Sequence, residues 1–148
     1  MKYVIFTLIL FVSILEAREY KAVFDCSASN AHYIKNRMLL IDKTISMIEA
    51  QGDSVNFAIT LHGSCVPMVS KVYQEIVSNE ELIDIAQAQE YITHLAKEKG
   101  VKVIVCAMSL EANAIKEDEV LTFVTISKNS FIDTIFYQNI GYALISLK

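Results

Sequence analysis

The sequence predicts an α/β fold, a three-layer α/β/α sandwich around a largely parallel sheet of five strands. Apolar, β-branched runs alternate along the chain with amphipathic helical patterns, which is the order that parallel sheets with helices on both faces produce. The run 101–105 is mostly apolar, as expected of a strand that is covered on both faces. The length of 148 residues suits a single domain.

The first residues have the layout of a secretory signal peptide. Lys2 precedes an apolar stretch from Tyr3 to Leu15, and Ala17 follows. This stretch is shorter than the ~20 apolar residues that a membrane-spanning helix needs. We therefore expect cleavage after Ala17, a mature domain of residues 18–148, export (to the periplasm in a bacterium) and no stable membrane span. An uncleaved helix that dips into lipid is the alternative.

The first half of the domain is predicted as strand, helix, strand and short helix. A strand over 20–25 ends at the segment 25–30, which is rich in helix-capping residues. Apolar residues then recur at spacings of four and three, which places them on one face of a helix that ends near Gly52: Ile34, Met38, Ile41, Ile45 and Ile48. A second strand over 55–61 follows, and Pro67 suits the first turn of a short helix through Val77.

The second half of the domain continues the alternation. A capping box at 78–81 begins a helix that lasts until Gly100, and the buried strand 101–105 then leads directly to Cys106. The remaining predicted elements are a short helix, a strand, a helix and a final strand, at 109–115, 123–126, 130–139 and 142–147.

Charge and motif content exclude several classes of function. The net charge of −4 is unchanged by loss of residues 1–17, which remove one charge of each sign, and a mildly acidic chain is a poor partner for nucleic acid. There is no glycine-rich nucleotide loop, no Gly-x-Ser-x-Gly elbow and no His/Cys pair at metal-binding spacing. The sequence therefore indicates no cofactor and no metal.

All three cysteines follow predicted strands. Ligands of open α/β sheets bind at the carboxyl ends of the strands, so Cys26, Cys65 and Cys106 are expected on one edge. For Cys26 and Cys65 the alternatives are burial in the core and a mutual disulfide. Cys106 enters a strand-to-helix turn that contains Ser109, and the backbone N–H groups of such a turn favour a thiolate or a persulfide anion.

Four further side chains could belong to the site or to the scaffold. His62, which precedes Gly63 at the end of the second strand, is either a proton donor or thiolate partner, or a structural hydrogen-bonding residue. Asp25 is expected to cap the first long helix, the alternative being that it faces the site. Tyr142 and Phe136 are assigned to packing in the core or between subunits.

Three motifs resemble those of the DsrE/DsrF-like family over nearly the whole mature chain. They are His62-Gly63 after the second strand, the block from Gly100 to Leu110 that contains Cys106, and the closing Gly-Tyr strand 138–145. In the sulfur-relay members of that family this cysteine accepts a persulfide sulfur and passes it on. The resemblance implies the same role for Cys106, with sulfur donors and acceptor thiol proteins as partners and a homotrimer or homohexamer as the assembly.

Three functions follow as hypotheses. The first is a sulfurtransferase-like sulfur carrier that uses Cys106. The second is a non-catalytic module that binds a small ligand or assembles with partners. The third is a thiol-disulfide redox protein that uses Cys65 and Cys106, which requires their Cα atoms to lie within about 7 Å of each other.

Overall fold

A computed structural model describes residues 17–148, so the predicted leader lies outside the described residues apart from Ala17. The strands are β1 (Glu19–Cys26), β2 (Ser54–Leu61), β3 (Lys102–Cys106), β4 (Thr125–Ser127) and β5 (Ala143–Leu147). The helices are α1 (Ala31–Glu49), α2 (Leu82–Lys97), α3 (Ala107–Ala112) and α4 (Ser130–Asn139). Within this part of the chain no helix is both long enough and apolar enough to cross a bilayer.

The five strands form one parallel sheet in the order β4-β3-β2-β1-β5. The chain runs outward from β1 to β4 and then returns to the other side of β1 as β5. Because crossovers between parallel strands are right-handed, this reversal of direction places α4 on the opposite face from α1 and α2. The predicted three-layer α/β/α sandwich is confirmed.

Helix α1 forms where the apolar spacing predicts it. Four of the five periodic residues are buried against the sheet and α2, and these are Ile34, Met38, Ile41 and Ile45. The Asn30 side chain accepts a hydrogen bond from the Tyr33 N–H at 2.8 Å, which satisfies one of the unpaired donors of the first turn. Asn30, and not the predicted Asp25, is therefore the cap of this helix.

The two faces of the sheet bury different sets of residues. Phe24, Ile59 and Val105 belong to the larger core beneath α1 and α2. Their neighbours Val23, Ala58 and Ile104 form a smaller core with two tyrosines of the opposite layer, Tyr137 and Tyr142. Successive residues of a strand point to opposite faces, so this division also fixes the face on which each site residue lies.

The segment after β2 differs from the predicted helix through Val77. It forms two short 3₁₀ turns, Gly63–Val69 and Tyr73–Glu75. Between them the backbone pairs with a distant segment: the Lys71 N–H donates to the Glu119 carbonyl at 2.7 Å, and the Leu121 N–H donates to the Val69 carbonyl at 2.9 Å. These long-range bonds take the backbone groups that a continuous helix needs.

Candidate functional site

Cys106 ends β3 and is the N-cap residue of α3, which begins one residue later, two residues earlier than predicted. Its residue surface is 4% exposed. Among the described residues it is the cysteine that forms no disulfide. The thiol therefore lies at the carboxyl edge of the sheet, as predicted, and is almost completely buried.

Burial and hydrogen bonding act in opposite directions on the pKa of the Cys106 thiol. Burial opposes ionisation and is the largest single influence on the thiol, but donors from Ser109, Ser130 and Met108 together outweigh it and lower the pKa of Cys106. Ser109 contributes both its hydroxyl and its backbone N–H, and the other two contribute backbone N–H groups. Hydrogen bonds donated to a thiol favour its charged form and so oppose the effect of burial.

The Ser109 hydroxyl is oriented by the loop that follows β2. Its Oγ accepts a hydrogen bond from the Gly63 N–H at 3.0 Å, which leaves the hydroxyl proton available for Cys106. Asn113 Nδ2 donates to the Gly63 carbonyl at 3.2 Å and to the Ser109 carbonyl at 2.8 Å. Gly63 has a φ of 54°, a left-handed conformation that glycine adopts without steric cost. The predicted neighbours Gly63 and Ser109 are thus joined to the cysteine in one network.

His62 lies beside Cys106 in the sheet register. Leu61 pairs with Val105, so positions 62 and 106 are the next neighbours across the two strands. His62 Nε2 is 3.1 Å from Oδ1 of Asp25, which also accepts a hydrogen bond from the Thr60 hydroxyl at 2.9 Å. Asp25 was expected to be a helix cap; instead it faces the site, because it alternates with Cys26 and shares the face of Val23.

The other two cysteines form a disulfide, with their Cα atoms 6.0 Å apart. Cys26 and Cys65 are completely buried in the larger core beneath α1 and α2. Cys106 shares the face of Ile104, which belongs to the opposite core. The expected position of the three cysteines at the carboxyl ends of the first three strands is confirmed, and so is the mutual disulfide of Cys26 and Cys65. The Cys65–Cys106 redox pair is wrong, because Cys65 is bonded to Cys26 and Cys106 points to the other face of the sheet.

Two side chains of this site carry no motif of their own, Asp25 and Asn113. The alternation of β1 could have identified Asp25, because neighbouring residues of a strand point to opposite faces. A polar residue next to a buried cysteine therefore points to the other layer. No comparable signal marks Asn113, which reaches Gly63 only through the fold. Among residues 17–148 no three His, Cys, Asp or Glu side chains are grouped so as to hold a metal ion.

An apolar cavity lies away from the thiol. It has a volume of about 380 Å³ and runs between α1 and the edge strand β5, where Leu40, Ile41 and Ile145 line it. Cys106, His62 and Asp25 do not contribute to its walls. This groove is therefore separate from the site around Cys106.

Two known proteins illustrate what the chain is similar to in fold and in sequence. A solved structure of a protein of unknown function, MTH1491 from Methanobacterium thermoautotrophicum, shares the fold with a TM-score of 0.59. The match covers 89% of this chain and 100% of that chain at 17% identity. An uncharacterized protein of Aquifex aeolicus (strain VF5) is 33% identical over 132 residues, or 88% of this chain, and the chain spans 57% of that relative's length.

The family assignment depends on a match over nearly the whole described domain. The sequence profile of the DsrE/DsrF-like family matches residues 20–147. This range runs from β1 through β5 and includes the His62-Gly63 motif, the Cys106 block and the closing Gly-Tyr strand. The chain therefore belongs to the DsrE/DsrF-like family.

Proposed function

We propose that the protein is a sulfurtransferase-like sulfur carrier in which Cys106 holds the transferred sulfur as a persulfide. The observation that supports this function is that hydrogen bonding from Ser109, Ser130 and Met108 lowers the pKa of a free thiol at the end of β3. A thiolate is the nucleophile in sulfur exchange, and the same donors suit the anion of a persulfide. Family membership adds the precedent of sulfur-relay members that use a cysteine in this block.

The proposed transfer needs no external oxidant. The Cys106 thiolate attacks the outer sulfur of a donor persulfide, a new S–S bond forms at Cys106, and the donor leaves as its thiolate. An acceptor thiolate then attacks the outer sulfur on Cys106 and carries it away. With only 4% of its surface exposed, Cys106 favours a slim donor group such as a terminal sulfur atom.

Sulfur loading tests the proposal directly. Intact mass of the protein after exposure to a persulfide donor should show an added mass of about 32 Da, one sulfur atom, on the parent chain. Cys106→Ser should fold and show no added mass. The double variant Cys26→Ala/Cys65→Ala is the matched control, since it removes the other two sulfurs and should still load.

A packing role for Cys106 predicts the opposite pattern. Burial of a hydroxyl without a partner costs about 1–3 kcal/mol, so Cys106→Ser would lose stability. If that variant is destabilised and takes up as much sulfur as the parent, Cys106 is a core residue. The function would then reduce to the non-catalytic binding or assembly module.

We also propose that the chain is exported, to the periplasm if the source is bacterial. Two observations support this proposal: the apolar leader of residues 1–17, and the Cys26–Cys65 disulfide, a bond that persists in oxidising compartments. The intact mass of the natural protein tests it at the same time. A chain that begins at or near Arg18 supports export, and an intact Met1 contradicts it.

A homotrimer or homohexamer is the proposed assembly, supported by an apolar surface on α4. The outward-facing residues of that helix are 54–71% exposed, and they are Phe131, Ile132, Ile135 and Phe136. Leu144 of β5 pairs with Val23 and extends this surface along the edge of the sheet. Apolar patches of this kind mark contacts with another protein surface. Donor and acceptor thiol proteins are the further partners that the sulfur-carrier function requires.

A further inference from the structure

Three reactive side chains lie next to one another across adjacent strands on the face covered by α4. Asp25 is on β1, His62 directly follows β2, and Cys106 ends β3. The register pairs Asp25 with Thr60 and brings positions 62 and 106 side by side. Alternation along the strands directs all three side chains to the same face.

The Asp25 carboxylate determines how His62 presents its ring. An ionised carboxylate only accepts hydrogen bonds, so the 3.1 Å contact between Asp25 Oδ1 and His62 Nε2 favours the tautomer that carries its proton on Nε2. In the neutral imidazole, Nδ1 is then the unprotonated nitrogen and can accept a proton. Thr60, which is 1% exposed, donates to the same carboxylate oxygen and holds it in place.

His62 lies nearer to solvent than the sulfur does. Its side chain is 21% exposed and that of Asp25 is 16% exposed, whereas Cys106 is 4% exposed as a residue. The donors on Ser109, Ser130 and Met108 already serve the Cys106 thiolate. A proton acceptor at the position of His62 is therefore better placed to exchange a proton with the partner thiol that arrives from solution than with Cys106.

We propose that His62 is the proton-transfer residue for the thiol partner of Cys106, and that Asp25 is the positioning residue that fixes its tautomer. This inference rests on the proposed sulfur-carrier function and adds a role that the function leaves open. In this division of roles the Ser109 network stabilises the Cys106 thiolate, and the Asp25–His62 pair donates and accepts the proton of the partner thiol.

The proton balance closes over one cycle. In loading, the Cys106 thiolate takes the outer sulfur of R–S–SH, the R–S bond breaks, and R–S⁻ receives the proton of the His62 imidazolium to leave as R–SH. In unloading, R′–SH gives its proton to His62 Nδ1, and R′–S⁻ removes the outer sulfur from Cys106. The products are R′–S–SH and the starting thiolate–imidazolium pair.

Few other charges border the pair in the part of the chain that the structure describes. The 3₁₀ turn Gly63–Val69 carries no charged side chain, and α3 carries Glu111, which is exposed. On α4, Asp133 accepts a hydrogen bond from the Ser127 hydroxyl, beyond Cys106. Tyr137 of α4 is buried in the core on this face, and Lys128 before α4 is exposed. Asp25 is therefore the charged partner of His62.

The test separates formation of the thiolate from proton transfer. Alkylation of Cys106 by iodoacetamide needs only the thiolate, whereas transfer from glutathione persulfide to glutathione needs both. We expect His62→Gln to slow transfer roughly 100-fold and to remove one limb of its pH profile, with alkylation unchanged. Asp25→Asn should slow transfer roughly tenfold, and Asp25→Glu should restore part of the rate.

A second His–Asp pair in the chain provides the matched control. His94 Nε2 is 3.3 Å from Asp42 Oδ1, between α2 and α1 on the other face of the sheet. His94→Gln and Asp42→Asn should leave both transfer and alkylation at the parent rates. Thermal unfolding of every variant checks that the fold is retained.

Each contrary result has a distinct meaning. If His62→Gln and Asp25→Asn transfer sulfur at the parent rate with the parent pH profile, the inference is wrong and the sulfur-carrier function stands. If both variants lower alkylation by the same factor as transfer, the pair acts on Cys106 or on the fold, and the inference is again wrong. If the parent itself takes up no sulfur, the proposed function fails and this inference falls with it.

Discussion

At the scale of single residues, Ser109 connects the two halves of the site. Its hydroxyl accepts from Gly63 and is among the donors that lower the pKa of Cys106. A serine three positions after a strand-ending cysteine is therefore part of the electrostatic environment of that cysteine. Its contribution can be measured, because a thiolate reacts with alkylating agents and a neutral thiol does not.

Removal of the Ser109 hydroxyl should make Cys106 harder to ionise. With the donors in place the pKa of Cys106 is lowered, so the alkylation rate reaches half its maximum at a lower pH than for an ordinary thiol. Ser109→Ala removes one donor and leaves burial opposing ionisation, which should move that midpoint to higher pH. The rate at neutral pH should fall accordingly.

Ser64 supplies the control for this measurement. It lies in the same 3₁₀ turn as Gly63, but its side chain is exposed. Ser64→Ala should keep the parent pH profile. An unchanged midpoint in Ser109→Ala would mean that the backbone N–H groups alone hold the thiolate.

At the scale of elements, α1 shows how sequence periodicity becomes stability. One stripe of the helix is buried, with Ile34 at 0% exposure, while Met47 on the opposite side is 66% exposed. Burial of an aliphatic side chain contributes about 1.5–3 kcal/mol, and a cavity adds to the loss when the side chain is truncated. The two faces of the helix should therefore respond differently to the same substitution.

Ile34→Ala should reduce the free energy of unfolding by about 2–5 kcal/mol, because it removes buried methyl groups and leaves a cavity. Met47→Ala, on the exposed face, should change it by no more than about 0.5 kcal/mol. Urea unfolding of both variants under identical conditions makes the comparison. Equal losses would mean that α1 is not anchored by its predicted stripe.

At the scale of the whole molecule, the two helical layers are unequal. The layer of α1 and α2 covers the large core, whereas α4 covers a small one and exposes most of its own apolar side chains. Edge strand β5 adds Leu144 on the same face, which is 42% exposed. This is the surface that a further copy of the chain would cover in the proposed assembly.

Charged substitutions on α4 should dissociate that assembly. Ile132→Glu/Phe136→Glu places two carboxylates on residues that are 61% and 54% exposed in the single chain, so the fold should survive while an apolar contact would not. Light scattering should report a trimer or hexamer for the parent and a smaller species for the variant. Met47→Glu on α1 is the control, and a monomeric parent at micromolar concentration would contradict the assembly.

Sequence reasoning succeeded where the signal is local. The stripe of α1, the bounds of α4 and the position of Cys106 at a strand end depend on periodicities and turn chemistry within about twenty residues. It was less accurate between Val69 and Val77, where the expected helix is replaced by bonds to Glu119 and Leu121. Hydrogen bonds between segments so far apart along the chain produce no periodic pattern of residues in either segment, so the sequence does not predict them.

The amino-acid sequence by itself determined the fold class, the family and the identity of the candidate nucleophile, because each follows from short-range patterns of apolar, capping and motif residues. Only the tertiary structure decided which cysteines pair and which side chains meet Cys106. Cys26 and Asp25 are adjacent in sequence, yet one joins the buried disulfide and the other binds His62. The reason is physical: a strand sends neighbouring side chains to opposite faces, and the sheet order determines what each of them meets there.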